Sequence, residues 1–294
     1  MIDYSGQAAI VTGAGAGIGR AIARGLAARG AQVLVNDPAD GLAEAVVAEI
    51  KGAGGDAVAD TTRVGAHESA RAIANHALDA FGRIDVLMNN AGITRPRPFG
   101  EAPDDEIDLV LSVNLLGPYA LMRAVWPTMR AQRYGRILNT SSSAALGSGV
   151  SGPYAASKAG LIGLTKDAAI AGAPLGVKIN ALMPSASTTL LDNHPDAAFR
   201  VWFKANMPPE SVAAAALWLA SREMAYSGEV FTAGGGRVSR MAFIESRGVY
   251  DASPTPEAFL AQAETIADFA DGDIVTTQTD HQANTARVMP GYPL

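Results

Sequence analysis

The chain of 294 residues contains no cysteine. That excludes disulfides, thiolate catalysis and thiolate-bound zinc, and it fits a reducing compartment, so the cytoplasm is the expected location. Histidine is scarce too: His67, His76, His194 and His281 are scattered, and none stands in a metal-ligand spacing, so no metal is expected. Basic charge is in deficit. A net charge of −6 argues against nucleic acid or an anionic membrane as partner, because polyphosphate binding needs clustered Lys and Arg. Long hydrophobic runs are also missing. "AAIAGAPLGV" is about half of the ~20 residues a membrane helix needs. The opening "MIDYSGQAAIV" lacks the basic and then apolar order of a secretory leader, so neither a leader nor a membrane span is expected. What the chain does have is 48% apolar residues, ample for a packed core.

Short β-branched runs alternate with longer Ala-rich amphipathic runs, the pattern of βαβ units around a parallel sheet. "AAIVTG", "AQVLVND", "DAVAD", "RIDVLMNNAG", "GRILNTSS", "VKINALMP" and "GEVFTAGG" read as seven strands, nearly all followed by a helix. Two long helices are expected around 104–114 and 117–132, and another begins near Tyr154. The expected fold is therefore α/β, a Rossmann-type doubly wound seven-stranded parallel sheet with helices on both faces. It occupies residues 1–236, and a C-terminal extension, 237–294, packs on it or on a neighbouring subunit. That extension carries one clear helix, with Thr255 as cap, Pro256 at the first position and "EAFLAQAETIADFA" after it.

"TGAGAGIG", residues 12–19, lies between the first strand and its helix, where backbone N–H groups and the helix dipole can meet a pyrophosphate. The GxGxxG register fails, since positions 18, 20 and 22 are Ile18, Arg20 and Ile22. Gly13, Gly17 and Gly19 satisfy TGxxxGxG instead. Asp37 closes the second strand 18 residues past Gly19. A carboxylate there accepts hydrogen bonds from the adenosine ribose and repels a 2′-phosphate, which points to NAD rather than NADP.

Further along, "SSSAALGSGVSGPYAASKAG" sets Tyr154 and Lys158 at i and i+4, on one face of a helix. A free phenol titrates near ~10, too high for a base at neutral pH. A neighbouring ammonium and an oxidised nicotinamide both favour the phenolate, and two or three pKa units at ~1.4 kcal/mol each is a plausible demand on two cations. Tyr154 could then exchange a proton with an alcohol or carbonyl oxygen.

Together with "NNAG" at 89–92, Asn114 in "SVNLLG" and the serine cluster, these motifs resemble the short-chain dehydrogenase/reductase family in order and approximate spacing. The resemblance implies Tyr154 as catalytic acid/base. Lys158 holds the nicotinamide ribose and tunes the tyrosine, Asn114 positions a water in the proton relay, and a serine polarises the substrate carbonyl. Gly13, Gly17, Ile18 and Gly19 face the dinucleotide; Asn90, Ala91 and Gly92 support the sheet and pass beside the adenine ribose. Counting forward from the fifth strand puts the serine at Ser142, whereas counting back thirteen from Tyr154 gives Ser141. A strand keeps register better than a loop, which favours Ser142. Two features depart from the family. Pro184 is followed by Ser185 instead of glycine beside the nicotinamide, with Thr188 and Thr189 as carboxamide candidates; and Thr62 stands where many members place an aspartate for adenine.

A narrower resemblance covers nearly the whole chain. "VNDPAD", "FGRIDVLMNNAGITRPRPF", "YGRILNTSSS", "ALWLASRE", "GGGR" and "TPEAF" are similar to the (3R)-hydroxyacyl-CoA dehydrogenase portion of peroxisomal multifunctional enzymes and its free-standing bacterial relatives. This implies oxidation of a 3-hydroxyacyl-CoA with NAD, with a hydroxysteroid or another bulky secondary alcohol as the other substrate class. Arg95 and Arg97 could pair with coenzyme A phosphates, or form a solvated loop face; Trp202, Phe203 and Met207 could cover the substrate, or pack on the next helix. The family also implies a homodimer or homotetramer built on the helices near 117–132 and 154–170. A non-catalytic dinucleotide sensor on the same fold is the rival reading from another class. Such proteins commonly lose the tyrosine or lysine, and both are present here.

Overall fold

The computed structural model describes residues 2–187, 196–289 and 291–292. They group into two compact units, Met1–Arg240 and Met241–Leu294. In the first, strands β1 (Ala8–Thr12), β2 (Gln32–Asn36), β3 (Asp56–Asp60), β4 (Val86–Asn89), β5 (Gly135–Thr140), β6 (Val177–Pro184) and β7 (Val230–Gly234) alternate with helices α1 (Gly17–Ala27), α2 (Leu42–Gly52), α3 (His67–Phe81), α4 (Asp104–Leu111), α5 (Gly117–Gln132), α6 (Gly152–Gly172), α7 (Ala197–Asn206) and α8 (Pro209–Leu219). Strand order is β3-β2-β1-β4-β5-β6-β7-β8, parallel from β3 through β7. The order reverses direction between β1 and β4, and a crevice opens beyond the strand ends at such a switch point.

The sheet has eight strands among the described residues, one more than the sequence leads one to expect. β8 (Arg237–Met241) returns from β7 through a two-residue turn, Gly235–Gly236, in which both φ angles are positive, 55° and 82°. Such a connection makes an antiparallel hairpin and suits glycine at both positions. The glycine pair that reads in sequence as the end of the domain is therefore a hairpin turn within the sheet.

Two apolar layers sandwich the sheet. Ile22, Leu26, Val46, Val212 and Leu217 pack with Val11, Val33 and Val35 on one face. Ile73, Leu121, Val125 and Met129 pack with Ile10, Leu34, Leu87 and Ile137 on the other. α1 shows how sequence dictates this, since its buried residues Gly19, Ile22, Ala23 and Leu26 recur at three- and four-residue steps. The helices expected at 104–114 and 117–132 form one continuous helical stretch, joined by a π-helical turn, Ser112–Leu116. By length and composition alone Asp104–Gln132 is apolar enough to cross a membrane, but half of its most apolar window is buried, as befits a core helix.

In the second unit β9 (Phe243–Glu245) pairs antiparallel with β10 (Asp273–Val275). Thr255 caps as expected, its hydroxyl accepting from the Ala258 amide. The single helix expected there is two short ones, α9 (Pro256–Ala261) and α10 (Ala263–Ala267), before α11 (Gln278–Val288). Leu260 is 78% exposed, so the burial that sustains a long amphipathic helix is missing at the break.

One buried carboxylate ties the base of the sheet together. Asp85, fully buried, accepts from the Ala8 amide at 2.9 Å and takes both arms of Arg83 at 2.7 Å. Replacing it orphans the amide that begins β1 and the guanidinium beside it. Asp85→Ala is expected to lower unfolding stability by about 3 kcal/mol in urea titration; a loss below about 1 kcal/mol would contradict this account of the sheet's base.

Candidate active site

The cleft at the switch point has a volume of about 570 Å³. Of the thirteen site residues named from sequence, twelve line it: Gly13, Gly17, Ile18, Gly19, Asp37, Asn90, Ala91, Gly92, Ser142, Tyr154, Lys158 and Pro184. Asn114 lies one layer behind. Ser141 and Ser185, named from sequence as the alternative serine and as the residue after Pro184, line it too; residues that sequence reasoning misses are Ala16, Ile93, Thr140 and Ala186, neighbours of named ones. Phe203, a cover or a packing residue from sequence, lines the cleft; Trp202 is exposed. Thr188 and Thr189 lie outside the described residues.

At the glycine end the turn is compact because side chains have no room. A Cβ on Gly19 would come within 2.1 Å of the Gly13 carbonyl, and one on Gly13 within 2.8 Å of Ala91 Cα, with φ at Gly13 already +60°. Ala16 caps α1 without a side-chain hydrogen bond, and the first turn holds no acidic residue. The first amides of α1 therefore face the cleft without intrahelical partners, a ready site for an anion. Asn90 fastens β4 to this turn, donating its amide to the carbonyls of Thr12 (2.9 Å) and Gly13 (3.0 Å). Asp37 is set by two backbone donors, the amides of Gly15 and Ala39, each at 3.0 Å. A carboxylate has about four acceptor sites, so two remain for a ligand. These features fit a dinucleotide: a cradle that any Cβ would fill, amides for a pyrophosphate, and an acceptor for ribose hydroxyls.

Around Thr62 the amide donates to Asp60, which also takes Asn36 and His76, so most of that carboxylate's capacity is used by the protein. Thr62 itself is not part of the cleft wall.

At the other end α6 carries Tyr154 and Lys158, and β5 supplies the serines. Lys158 is 3% exposed, and its Nζ donates to the Thr140 carbonyl at 2.7 Å and stands 5.5 Å from the centre of the Tyr154 ring. Burial pulls its pKa down to about 8. The two candidate serines separate cleanly. Ser141 is buried and spends its hydroxyl on the Lys158 carbonyl at 2.7 Å. Ser142 caps the 3₁₀ turn Ser143–Leu146, its hydroxyl accepting from the Ala144 amide at 3.1 Å, and acts on the Tyr154 phenol. Burial pushes that phenol up and Ser142 pulls it back in part. The sequence leads one to expect Lys158 to lower it; in the chain by itself the net direction is upward, because dehydration of a largely enclosed phenol outweighs the rest.

Asn114 sits fully buried in the π-helical turn. Its side chain pairs with the backbone of Ile93 in both directions, accepting from the amide at 2.9 Å and donating to the carbonyl at 2.7 Å. A Cβ on Gly92 would stand 3.1 Å from Asn114 Oδ1 and 3.4 Å from Lys158 Nζ, so a bare backbone is all that separates the two. π-Helical turns inside α-helices concentrate at functional sites, and here the turn delivers a buried amide to the cleft wall. Of the two arginines after "NNAG", Arg97 is engaged in a two-armed ion pair with Glu106, at 2.8 and 3.0 Å, and Arg95 donates to the Thr94 carbonyl.

The buried ammonium carries a stability consequence. Its folded pKa of about 8 lies below the 10.5 of an exposed lysine, so between those values the unfolded chain binds more protons and folding strengthens as pH rises. Lys158→Met is therefore expected to raise the unfolding midpoint at pH 7, with the gain shrinking as pH climbs from about 8 to 10.5. A difference that stays constant across that window would contradict the burial argument.

Comparison with known proteins agrees with this geometry. The family model for short chain dehydrogenase matches residues 7–197. The mouse peroxisomal multifunctional enzyme type 2 is 36% identical over 92% of this chain and 38% of its own length. A short chain dehydrogenase from Mycobacterium avium superposes with a TM-score of 0.79 at 36% identity, covering 90% of this chain and 95% of the other. A 7α-hydroxysteroid dehydrogenase complexed with NADH and 7-oxo glycochenodeoxycholic acid superposes with a TM-score of 0.74 at 32% identity, covering 80% and 95%. The chain spans 32% to 59% of the length of such multifunctional relatives. With the family model covering 191 of 294 residues and the cleft built as described, this chain belongs to the short-chain dehydrogenase/reductase family of oxidoreductases.

Proposed function

We propose that the chain is an NAD-dependent dehydrogenase acting on a secondary alcohol or the corresponding ketone within a bulky, largely apolar molecule, with 3-hydroxyacyl-CoA as the leading substrate class. The observation that carries the reading is convergence. Ser142, Tyr154 and Lys158 form one wall of a cleft whose far end holds the glycine turn and Asp37. A nicotinamide bound there would supply the hydride acceptor or donor. The amides of Gly17, Ile18 and Gly19 are the candidates for its pyrophosphate, and Asp37 for the adenosine ribose.

The protein's own part is proton handling. Tyr154 Oη takes the hydroxyl proton during oxidation and returns it to the carbonyl oxygen during reduction, while the Ser142 hydroxyl donates to that same oxygen as charge develops on it. Lys158 holds positive charge beside the phenol and needs a partner other than the Thr140 carbonyl to keep it above pH 8. Buried behind it, Asn114 and the Ile93 backbone fix the back of the cleft and hold the distance to Lys158 through Gly92.

Substrate bulk is supported by the rim. Phe99 is 85% exposed, and its ring is what a Cβ on Gly152 would meet at 3.7 Å, at the start of α6. Leu146 and Val150 are exposed nearby, and the Arg97 amide binds the Val150 carbonyl, so the two loops stand together. The acyl-CoA reading also rests on the resemblance to the multifunctional enzymes. A hydroxysteroid is the second reading, favoured by the same rim and by the bile-acid ligand of the related steroid enzyme. For assembly we take a homodimer or homotetramer, on the exposed Leu116 at the end of the π-helical turn, Tyr119 on α5 and Ile170 on α6.

NADH formation with a panel of 3-hydroxyacyl-CoAs, hydroxysteroids and simple secondary alcohols should be highest with an acyl-CoA and fall about a thousandfold in Tyr154→Phe. Steroid oxidation alone selects the second reading, and turnover that survives Tyr154→Phe rejects the proposed chemistry. For the cofactor, Asp37→Ala should move the ratio of kcat/KM for NADP over NAD upward by about tenfold, ~1.4 kcal/mol. An unmoved ratio would remove Asp37 from cofactor selection.

A further inference from the structure

Three consecutive residues where β5 ends grip α6. The Thr140 carbonyl holds Lys158 Nζ, and the Ser141 hydroxyl holds the Lys158 carbonyl. The third grip lies deeper and touches neither of these groups. Asn139 Nδ2 donates to Thr165 Oγ1 at 3.0 Å, and both residues are fully buried. Asn139 Oδ1 in turn accepts from Asn89 Nδ2 at 2.8 Å, across the register pair Asn89↔Asn139 of β4 and β5. The next residue along the chain from β4, Asn90, is the one bonded to the glycine turn. A buried polar chain thus runs from Asn89 of β4 through Asn139 of β5 into the helix that carries Tyr154 and Lys158, and the residue next to Asn89 holds the glycine turn.

The spacing gives this chain leverage. At 3.6 residues per turn, Thr165 lies two turns beyond Lys158 and three beyond Tyr154, on the same face. Displacement at Thr165 is therefore passed along a rigid helix to both. Apolar contacts such as those of Leu161 tolerate small sliding, whereas a buried amide left without its partner costs about 1–3 kcal/mol, so the polar link admits one placement of the helix.

We propose that Asn89, Asn139 and Thr165 act as positioning residues: their hydrogen-bond chain sets the placement of α6 on β5 and thereby the environment of Tyr154 and Lys158. The inference rests on reading those two as the reactive pair. Its test reads Lys158 directly and needs no substrate. The chain has five lysines, so carbon-13 labelling at lysine Cε gives five NMR titration curves, with Lys158 assigned by its loss in Lys158→Met. Thr165→Val, which keeps size and drops the hydroxyl, should loosen the enclosure and raise the Lys158 pKa by about one unit, tenfold in proton affinity. Thr165→Ser should restore the wild-type curve. The all-apolar variant Asn89→Leu, Asn139→Leu, Thr165→Val leaves no amide unpaired, so it should fold and show the same shift. A folded variant, single or triple, whose Lys158 titrates as in the wild type overturns the proposal, and so does a serine variant that fails to restore it. Should the shift appear while alcohol oxidation survives Tyr154→Phe, the positioning chain stands and the catalytic reading falls. An unshifted Lys158 together with oxidation lost in Tyr154→Phe removes the positioning chain and leaves the catalytic reading in place.

Discussion

A lysine ammonium in a nearly water-free position is the constraint on which the rest of the cleft turns. Lys158 has one protein oxygen within hydrogen-bond range, the Thr140 carbonyl, and burial has drawn its pKa down to about 8. Burying such a charge is costly unless it is paired and hydrogen-bonded. The fold meets that cost by packing: α6 is fastened to the end of β5 at three successive residues, so the ammonium has nowhere to retreat. The ammonium has three donors against one acceptor, so two donors remain for a ligand.

The same enclosure acts on Tyr154 in the opposite sense. Burial raises the phenol and lowers the ammonium, so each pKa moves in the direction of the neutral form, although a lysine at about 8 is still mostly cationic at pH 7. Ligand hydroxyls that accept from Lys158 would extend its cationic form above pH 8, and that form, with any positive charge the ligand brings, would favour the phenolate.

Much of this is legible in the residues. β3 and β6 match their sequence boundaries to the residue: each is a short apolar stretch that follows glycine, Gly55 before DAVAD and Gly176 before VKINALMP. Twelve of thirteen site residues reach the cleft because they sit at strand ends or helix starts, whose places in a doubly wound sheet follow from topology. Strand register favours Ser142 over Ser141, and the structure gives the two hydroxyls different partners. The rest depends on through-space facts with no local signature. The pairing of Asn114 with Ile93 joins residues 21 apart through a π-helical turn that no periodicity announces. The Asn139–Thr165 bond joins polar residues in stretches otherwise read by their apolar pattern. Gly235–Gly236 reads as an ending because a hairpin turn and a linker share the same glycines, and only the fold reveals that Arg97 is paired with Glu106.

The central claim is that Lys158 and Tyr154 are held where a nicotinamide and its ribose come to rest. A crystal structure of the protein with NADH tests it most directly. The account predicts Lys158 Nζ at ~3 Å from the nicotinamide ribose hydroxyls, with Tyr154 Oη over the reactive face of the ring. A dinucleotide seated with its nicotinamide away from Tyr154, or with Lys158 still bound to the Thr140 carbonyl alone, would contradict it.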